Sequence, residues 1–523
     1  MGIPRKGRIL QNIGSSWSAL AVNVVVGIFL SPIIVHRLGD TAFGIWVLIF
    51  SVTGYYGMFD LGIRTSIVRF VSKYVVTKEA DKLASHVNTS LFTYSVMGLV
   101  AFAVTVFLTL YLDRLFRIPA ALQPQARWLM LMAGCSVALG FPLGVFGGIL
   151  DGMQRFDLTN WSGILSSLLR AVLVVLVLRR GYGLMMVTAI TVIMPILTSI
   201  LRGVLVFRLL RVPIALKYVN RESFRQMAHF SAMTTIAIIA AQLRFRTDEL
   251  VIGSMISAAA VTYFSIGVRP VDYAQQLVAS MAQIFVPMSS ELEAGGQMDR
   301  VRKVYLAGNR ACALTVFPIT AVIVILGKSI IEVWMGAKYV AISYPVTVII
   351  AIPVTLFVMQ AASGRILIGM GRHAQYAQVV FAEGIANLVL SILLVPPLGI
   401  VGDALGTAIP MFLTTLWFLP RHMRKQLEVP ITVFLREAYT LPFVLLLPVV
   451  AVLLLLQNWF YPHHLWQLVL QVTAAGIVYG IGLLWAYKTG RILKISESAT
   501  ARPVLGEEVA AASALRDRFG EEA

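Results

Sequence analysis

The chain has 523 residues, 58% of them hydrophobic and 13% charged, with mean hydropathy +0.82 and a formal net charge of +18. Soluble globular domains are about a quarter charged, so this chain cannot cover itself with polar surface, and its solvent is largely lipid. The basic residues are spread along the chain rather than gathered on one face, which excludes a nucleic-acid partner as their cause and leaves membrane orientation and anionic lipid contact.

A bilayer-spanning helix takes roughly 20 apolar residues. In chain order, segments of that kind predict an all-α polytopic membrane protein of fourteen helices: 13–36, 42–62, 88–112, 127–150, 157–178, 184–209, 227–247, 256–289, 304–326, 339–364, 375–396, 399–420, 437–457 and 464–488. The opening MGIPRKGR resembles a signal peptide, but the apolar run is longer than an h-region and no small-x-small cleavage site follows, so a retained first helix is expected. The join of the seventh and eighth helices, QLRFRTDELVIG, carries more charge than a spanning helix should. Gly181-Tyr182-Gly183 lacks the spacing and the Lys of a phosphate loop and reads as a turn. Trp128, Trp459 and Tyr461 read as an interfacial belt. Cys135 and Cys312 fall inside helices and imply no disulfide framework. His463-His464 has no partner ligand nearby, so neither a metal nor any other cofactor is expected. The tail from Gly490 mixes Ser, Ala, Glu and Arg and is expected to be loosely ordered.

Lys and Arg test the topology. With the N-terminus inside, the inside loops and ends hold 30 of them and the outside set 10, while Arg170, Arg202 and Arg269 sit within helices. That bias follows the positive-inside rule and predicts that both termini are cytoplasmic.

One phrase occurs twice. ILDGMQR at 149–155 closes the fourth helix and ILIGMGR at 366–372 closes the tenth, with five of seven positions identical at an offset of 217. Asp81-Lys82-Leu83 is answered by Asp299-Arg300-Val301 at an offset of 218. An even number of helices separates the copies, so they point the same way. The reading is a six-helix unit duplicated in parallel: an N-lobe over 1–210, a cytoplasmic linker over 211–226, a C-lobe over 227–420, two further helices over 421–488 and a cytoplasmic tail over 489–523. The lobes would be related by a pseudo-two-fold axis along the membrane normal. Duplicated bundles that rock about a central site are a transporter architecture.

From about residue 10 to 420 the sequence resembles the polysaccharide transporter branch, the O-antigen type flippases, of the multidrug/oligosaccharidyl-lipid/polysaccharide exporter superfamily. The resemblance rests on RLGDTAFGIW with Leu38, Gly39, Phe43 and Gly44, and on Asp60-Leu61-Gly62. It rests also on Gly148-Ile149-Leu150-Asp151-Gly152 with Arg155, and on Asp248, Ile252, Tyr263, Arg269 and Pro287 in the second half. It implies fourteen helices in two lobes in the bacterial inner membrane. It implies transport of a polyprenyl-diphosphate-linked oligosaccharide from the cytoplasmic to the periplasmic leaflet, with polysaccharide polymerase and chain-length machinery as further partners.

A glycan head exposes many hydroxyls, each costing on the order of 4–8 kcal/mol if left unpaired in hydrocarbon, so a flippase must offer a wet, hydrogen-bonding interior. A diphosphate calls for Arg, whose fork holds it bidentately. Charges within spanning helices are costly and usually face a cavity, which makes them the candidates. Arg269, beside the helix-breaking Pro270, is the first substrate-binding candidate; the bland reading pairs it with Asp272. Asn23, Arg64 and Arg246 join it, with Asp248, Glu249, Asp60 and Asp272 as gating or ion-coupling candidates. Asp60 and Arg64 are four apart, which reads as an ion pair on one helix face. Arg244 is taken with the charged end of the seventh helix. Arg170 and Glu383 hold equivalent helices under the repeat and are expected to line their own halves; Arg202 is expected to snorkel. A drug/cation antiporter of the same superfamily is the competing reading, and it would want more acidic residues than arginines at mid-membrane. An enzyme is not expected, because no outside loop exceeds about 15 residues and no Asp-x-Asp is present.

Overall fold

The computed structural model describes residues 5–492 except 211, 229–234, 236–238, 240, 241, 243 and 245, with side chains from Gly14 onward. The tail expected from Gly490 and most of the helix expected over 227–247 lie outside the described residues. Among the described residues all regular structure is helical. The helices are α1 (Arg5–Leu38), α2 (Asp40–Gly54, continued by a 3-10 turn Tyr55–Asp60), α3 (Ile63–Thr77), α4 (Ala80–Leu115), α5 (Gln123–Gly152), α6 (Phe156–Arg179) and α7 (Leu184–Leu209). After the gap come α8 (Asp248–Met255), α9 (Ala258–Ala282), α10 (Phe285–Ala294), α11 (Met298–Ile325), α12 (Gly327–Met335), α13 (Ala337–Val358), α14 (Ala361–Gly369) and α15 (Ala374–Leu398). Then follow α16 (Ile400–Leu413, continued by a π turn Thr414–Phe418), α17 (Leu419–Leu427), α18 (Ile431–Trp459) and α19 (Leu465–Lys488).

Twelve stretches among the described residues are long and apolar enough to cross a membrane. They correspond to the expected helices apart from the seventh and eighth. The eighth exists as α9, 25 residues long, but Arg269, Asp272 and two glutamines dilute its hydropathy. The second ends close to its expected limit, at Leu61 and Gly62, both left-handed (φ 46° and 68°), after which α3 runs as a separate amphipathic helix. Two expected helices are broken. The eighth is interrupted at Gln283–Ile284 and the tenth at Met359–Gln360.

The repeated phrase has a common local structure. In the first copy the amides of Met153, Gln154 and Arg155 bond the carbonyls of Ile149, Asp151 and Leu150; in the second, Met370, Gly371 and Arg372 bond Ile366, Ile368 and Leu367. Both are helix C-caps closed by a residue with positive φ, Gln154 at 58° and Gly371 at 68°. The echo of Asp81 and Asp299 also has one place, the first turn of the long helices α4 and α11. Gln154 is exposed and strained where its counterpart is glycine. Gln154→Gly is therefore expected to stabilise the fold by about 0.5–1 kcal/mol, strain relief of about 1–2 offset partly by unfolded-state entropy. A raised unfolding temperature in detergent would show it, and a lowered one would contradict it.

Three apolar cores hold the bundle. One joins α2 to α5 and α7 through residues such as Ile49, Ile67, Leu129 and Ile149. The second runs through α9 to α18, with Phe264, Val316, Ile350 and Met411 among its buried members. The third packs α18 and α19 on α11. Helix α2 belongs to both of the first two. It contributes Phe43 and Val47 to one and Ile45, Ile49 and Val52 to the other, and Trp46 packs against both. Its neighbours are α9 and α8 on one side and α1, α5 and α7 on the other. At Gly44 it meets the Ala258 carbonyl so closely that any Cβ would collide with backbone.

Candidate functional site

Helix α9 opens with Ser257, whose side chain accepts from the Ala260 amide at 3.1 Å. Pro270 removes one helical bond at its middle. Arg269, Asp272 and Gln276, at i, i+3 and i+7, share one face. Asp272 and Gln276 are exposed although α9 packs against α2, α8, α11 and α13, so this polar face borders solvent space within the bundle. Arg269 makes no hydrogen bond or ion pair among the described residues. Its guanidinium carbon stands 6.0 Å from the Phe43 ring centre. Asp272 forms no ion pair with it within 4.0 Å, so the bland alternative of a simple structural pair does not form. The Asp272 carboxylate instead lies in the electrostatic field of both Arg269 and Arg246.

Residues 246–247 form a bend before α8. It aims successive side chains in opposite directions. Arg246 is exposed and has no ion pair among the described residues. It lies against the end of α2, where a Cβ on Gly54 would stand 3.8 Å from its Nε. Tyr55 Oη and Thr247 Oγ1 are 2.9 Å apart across the same seam. Asp248 turns inward and is buried. Its Oδ1 accepts from Thr407 at 2.8 Å and faces Asn387 Nδ2 at 3.4 Å. Thr407 Oγ1 and Ser391 Oγ are each 3.1 Å from Asn387 Oδ1. Asp403 completes the group: both its carboxylate oxygens are buried with no hydrogen-bond partner among the described residues, and Asp248 acts on it electrostatically. Glu249 Oε2 is likewise buried with no partner among the described residues.

Glu383 does not line an open lumen. It pairs with Arg244 at 2.7 Å, the two side chains 2% and 3% exposed, and the Arg244 guanidinium lies 4.1 Å from the Phe357 ring centre. Burial this complete leaves a structural ion pair between the seventh-helix segment and α15.

On the α1–α7 side, the expected Asp60–Arg64 pair is absent because the left-handed Leu61-Gly62 step ends the helix between them. Arg64 pairs with Asp151 of the repeated phrase at 2.9 Å, and Asp60 accepts from Tyr94 Oη instead. Arg202 does not snorkel; it donates to Ser162 Oγ and the Thr159 carbonyl on α6, both at 2.9 Å. Asn23 accepts from Ser167 Oγ at 2.7 Å, joining α1 to α6. Arg170, one turn beyond Ser167, has a buried Nε with no hydrogen-bond partner among the described residues.

Asp40, at the start of α2, is not among the sequence candidates, yet it ties α2 to α9 and α13. Its carboxylate meets Lys338 Nζ at 3.0 Å and 3.1 Å, Tyr339 Oη at 2.5 Å and Tyr263 Oη at 3.2 Å. At the same end His36 Nε2 is 2.8 Å from the Met335 carbonyl, and Trp334 Nε1 donates to Ile28 O at 2.7 Å.

An apolar groove of about 880 Å³ runs between α1, α9, α12 and α19, lined by Trp17, Phe29, Pro270, Tyr273, Trp334 and Leu468 among others. Pro270 and Tyr273 follow Arg269 and Asp272 directly in sequence, so α9 divides the apolar groove from its own polar face.

Comparison with known proteins places this architecture. The chain is 21% identical over 419 residues to the membrane protein EpsK of Bacillus subtilis, covering 79% of this chain and 83% of that one. It is 18% identical over 422 residues to a protein of Shigella flexneri named as an O-antigen transporter, covering 78% and 96%. Its fold is that of the lipid II flippase MurJ in an inward closed conformation, with TM-score 0.68, 16% identity and coverage of 90% of this chain and 98% of that one. An inward-facing multidrug resistance MATE transporter has the same fold at TM-score 0.62 and 14% identity, with coverage of 78% and 95%. Residues 9–293 match the model of the family described as polysaccharide biosynthesis protein, and with more than half of its length so matched this multi-pass membrane chain belongs to that family.

Proposed function

We propose that the protein is a flippase, not an enzyme, that moves a polyprenyl-diphosphate-linked oligosaccharide from the cytoplasmic to the periplasmic leaflet of the bacterial inner membrane. The observation that carries this reading is Arg269 and Arg246, two arginines without ion pairs among the described residues, facing solvent space inside a lipid-embedded bundle. Unpaired guanidiniums at that depth are costly unless they await an anion. The wet face of α9 offers hydrogen bonds to the glycan, and the apolar groove behind Pro270 and Tyr273 accommodates a hydrocarbon tail. The relatives named as an O-antigen transporter and a lipid II flippase support the same substrate class. The product would feed a polymerase and its chain-length machinery.

The fourteen-helix organisation belongs to this proposal: the twelve stretches above, α9, and the segment 227–247, arranged as lobes 1–210 and 227–420 with two helices appended. With both termini cytoplasmic, the Asp40–Lys338–Tyr339 network lies at the periplasmic end and holds the lobes together there, so opening to that side requires it to break. Reporter fusions at Gly490 and within 458–464 are expected to read inside and outside; the same side for both would sink the topology.

Ion coupling is proposed for the buried group of Asp248, Asn387, Ser391, Asp403 and Thr407, with Glu249 beside it. Of its two buried carboxylates, Asp248 has one short hydrogen bond, from Thr407, and neither is paired with a cation among the described residues, so bound protons or sodium ions would balance their charge. A drug/cation antiporter would share this feature. The carboxylates there, Asp248, Glu249, Asp272 and Asp403, outnumber Arg246 and Arg269, as that reading would want; the family match over residues 9–293 and the relative named as an O-antigen transporter favour the glycolipid.

The test uses sealed inside-out vesicles from cells lacking the chromosomal gene. With the protein restored, lipid-linked oligosaccharide is expected to reach the luminal leaflet, faster under an imposed proton or sodium gradient. Asp248→Asn should remove that acceleration. Uptake of cationic dyes without glycolipid movement would favour the antiporter.

A further inference from the structure

Beyond its first turn, α2 is buried at every position except three, Trp46, Phe50 and Gly54, spaced four apart and so in one row along the helix. In a membrane protein a row of aromatics usually meets lipid. This one cannot, because α8 and α9 flank α2 on one side and α1, α5 and α7 on the other. Trp46 packs against both of the large apolar cores, which places it between the halves of the molecule. The rings touch in sequence: Phe43 and Trp46 stack with centres 5.6 Å apart, and Phe50 is tilted by 55° against Trp46 at 4.9 Å. Each end meets an arginine that has no ion pair among the described residues. Arg269 stands by Phe43, and Arg246 lies against Gly54. Finally, Trp46 Nε1 is shielded from water with no acceptor among the described residues, an unfavourable state for a strong donor.

We propose that the Trp46–Phe50 face of α2 is a sugar-stacking subsite, binding a pyranose ring of the cargo while Arg269 and Arg246 hold its phosphates. A pyranose has an apolar C–H face edged by hydroxyls. An aromatic platform takes the face, and an indole N–H donates to a hydroxyl at the rim. Stacking tolerates different sugars and orients them, which suits a carrier that must pass an oligosaccharide without reading every linkage. A purely apolar packing role would be served as well by Leu or Phe. The proposal rests on the flippase reading and adds where the first sugar sits.

The experiment measures equilibrium binding of two probes to the purified full-length protein: undecaprenyl diphosphate, and undecaprenyl diphosphate carrying one N-acetylglucosamine. Wild type is expected to bind the glycosylated probe more tightly. Trp46→Leu should lose about five- to tenfold for that probe alone, and Trp46→Phe, which keeps a ring without the donor, should fall between. Equal losses for both probes would make Trp46 structural and overturn the proposal, as would unchanged binding. If Trp46→Leu does not fold, Trp46→Phe decides by the same comparison. Equal binding of both probes by wild type would overturn the subsite alone. Binding of neither would remove the lipid-linked substrate, and the subsite with it.

Discussion

Arg244→Ala is expected to be among the most damaging single changes in the protein, lowering stability by about 3–5 kcal/mol, because it leaves Glu383 ionised and unpaired in the bundle interior. Both side chains are almost wholly excluded from water, and Phe357 covers the guanidinium. Neither solvent nor a neighbouring cation can take over. Membrane abundance and the unfolding temperature in detergent should both fall sharply, and Glu383→Ala should act alike. The double change Arg244→Met with Glu383→Leu replaces the pair by apolar groups of similar volume and should recover most of the loss. Wild-type abundance and unfolding temperature in Arg244→Ala would show that the pair is dispensable.

That pair also marks where the sequence stopped being informative. Length and hydropathy place twelve of the spanning stretches, because crossing lipid imposes a minimum apolar run on each. Arg269-Pro270 was legible because a charge next to a helix breaker is rare in such a run. The same rule points at Asp403 within IVGDALG. What no local rule supplies is juxtaposition. Asp248, Asn387 and Thr407 are far apart in sequence, and only the packing of α8, α15 and α16 brings their polar atoms within 3.4 Å. Glu383 looked like a lumen residue until Arg244 was found against it. The break after Asp60 rests on a left-handed Leu61, a conformation with no residue signature, and it redirected Arg64 to Asp151. Asp40 was hidden for a different reason: an acidic residue at a helix start is the commonest N-terminal feature, and its four bonds across the molecule are visible only once α9 and α13 are in place.

The repeated phrase shows the opposite case, a sequence feature whose physical content turned out to be small and definite. Two helix ends are capped with the same hydrogen bonds, and the position that needs a left-handed residue is glycine in one copy and glutamine in the other.

The central claim is that an anionic lipid-linked glycan passes Arg269. Losing one charge-assisted contact in a partly wet site should cost about 1.5–3 kcal/mol, or roughly ten- to a hundredfold in transport if the contact persists in the rate-limiting state. Lys keeps the charge but not the fork, so it should recover part of that. The decisive measurement is surface glycan, together with lipid-linked precursor retained on the cytoplasmic leaflet, in Arg269→Ala and Arg269→Lys cells with matched membrane levels of the protein. Strongly reduced glycan and accumulated precursor are expected for Arg269→Ala, with Arg269→Lys between it and wild type; normal export by Arg269→Ala at matched levels would remove Arg269 from the path of the cargo.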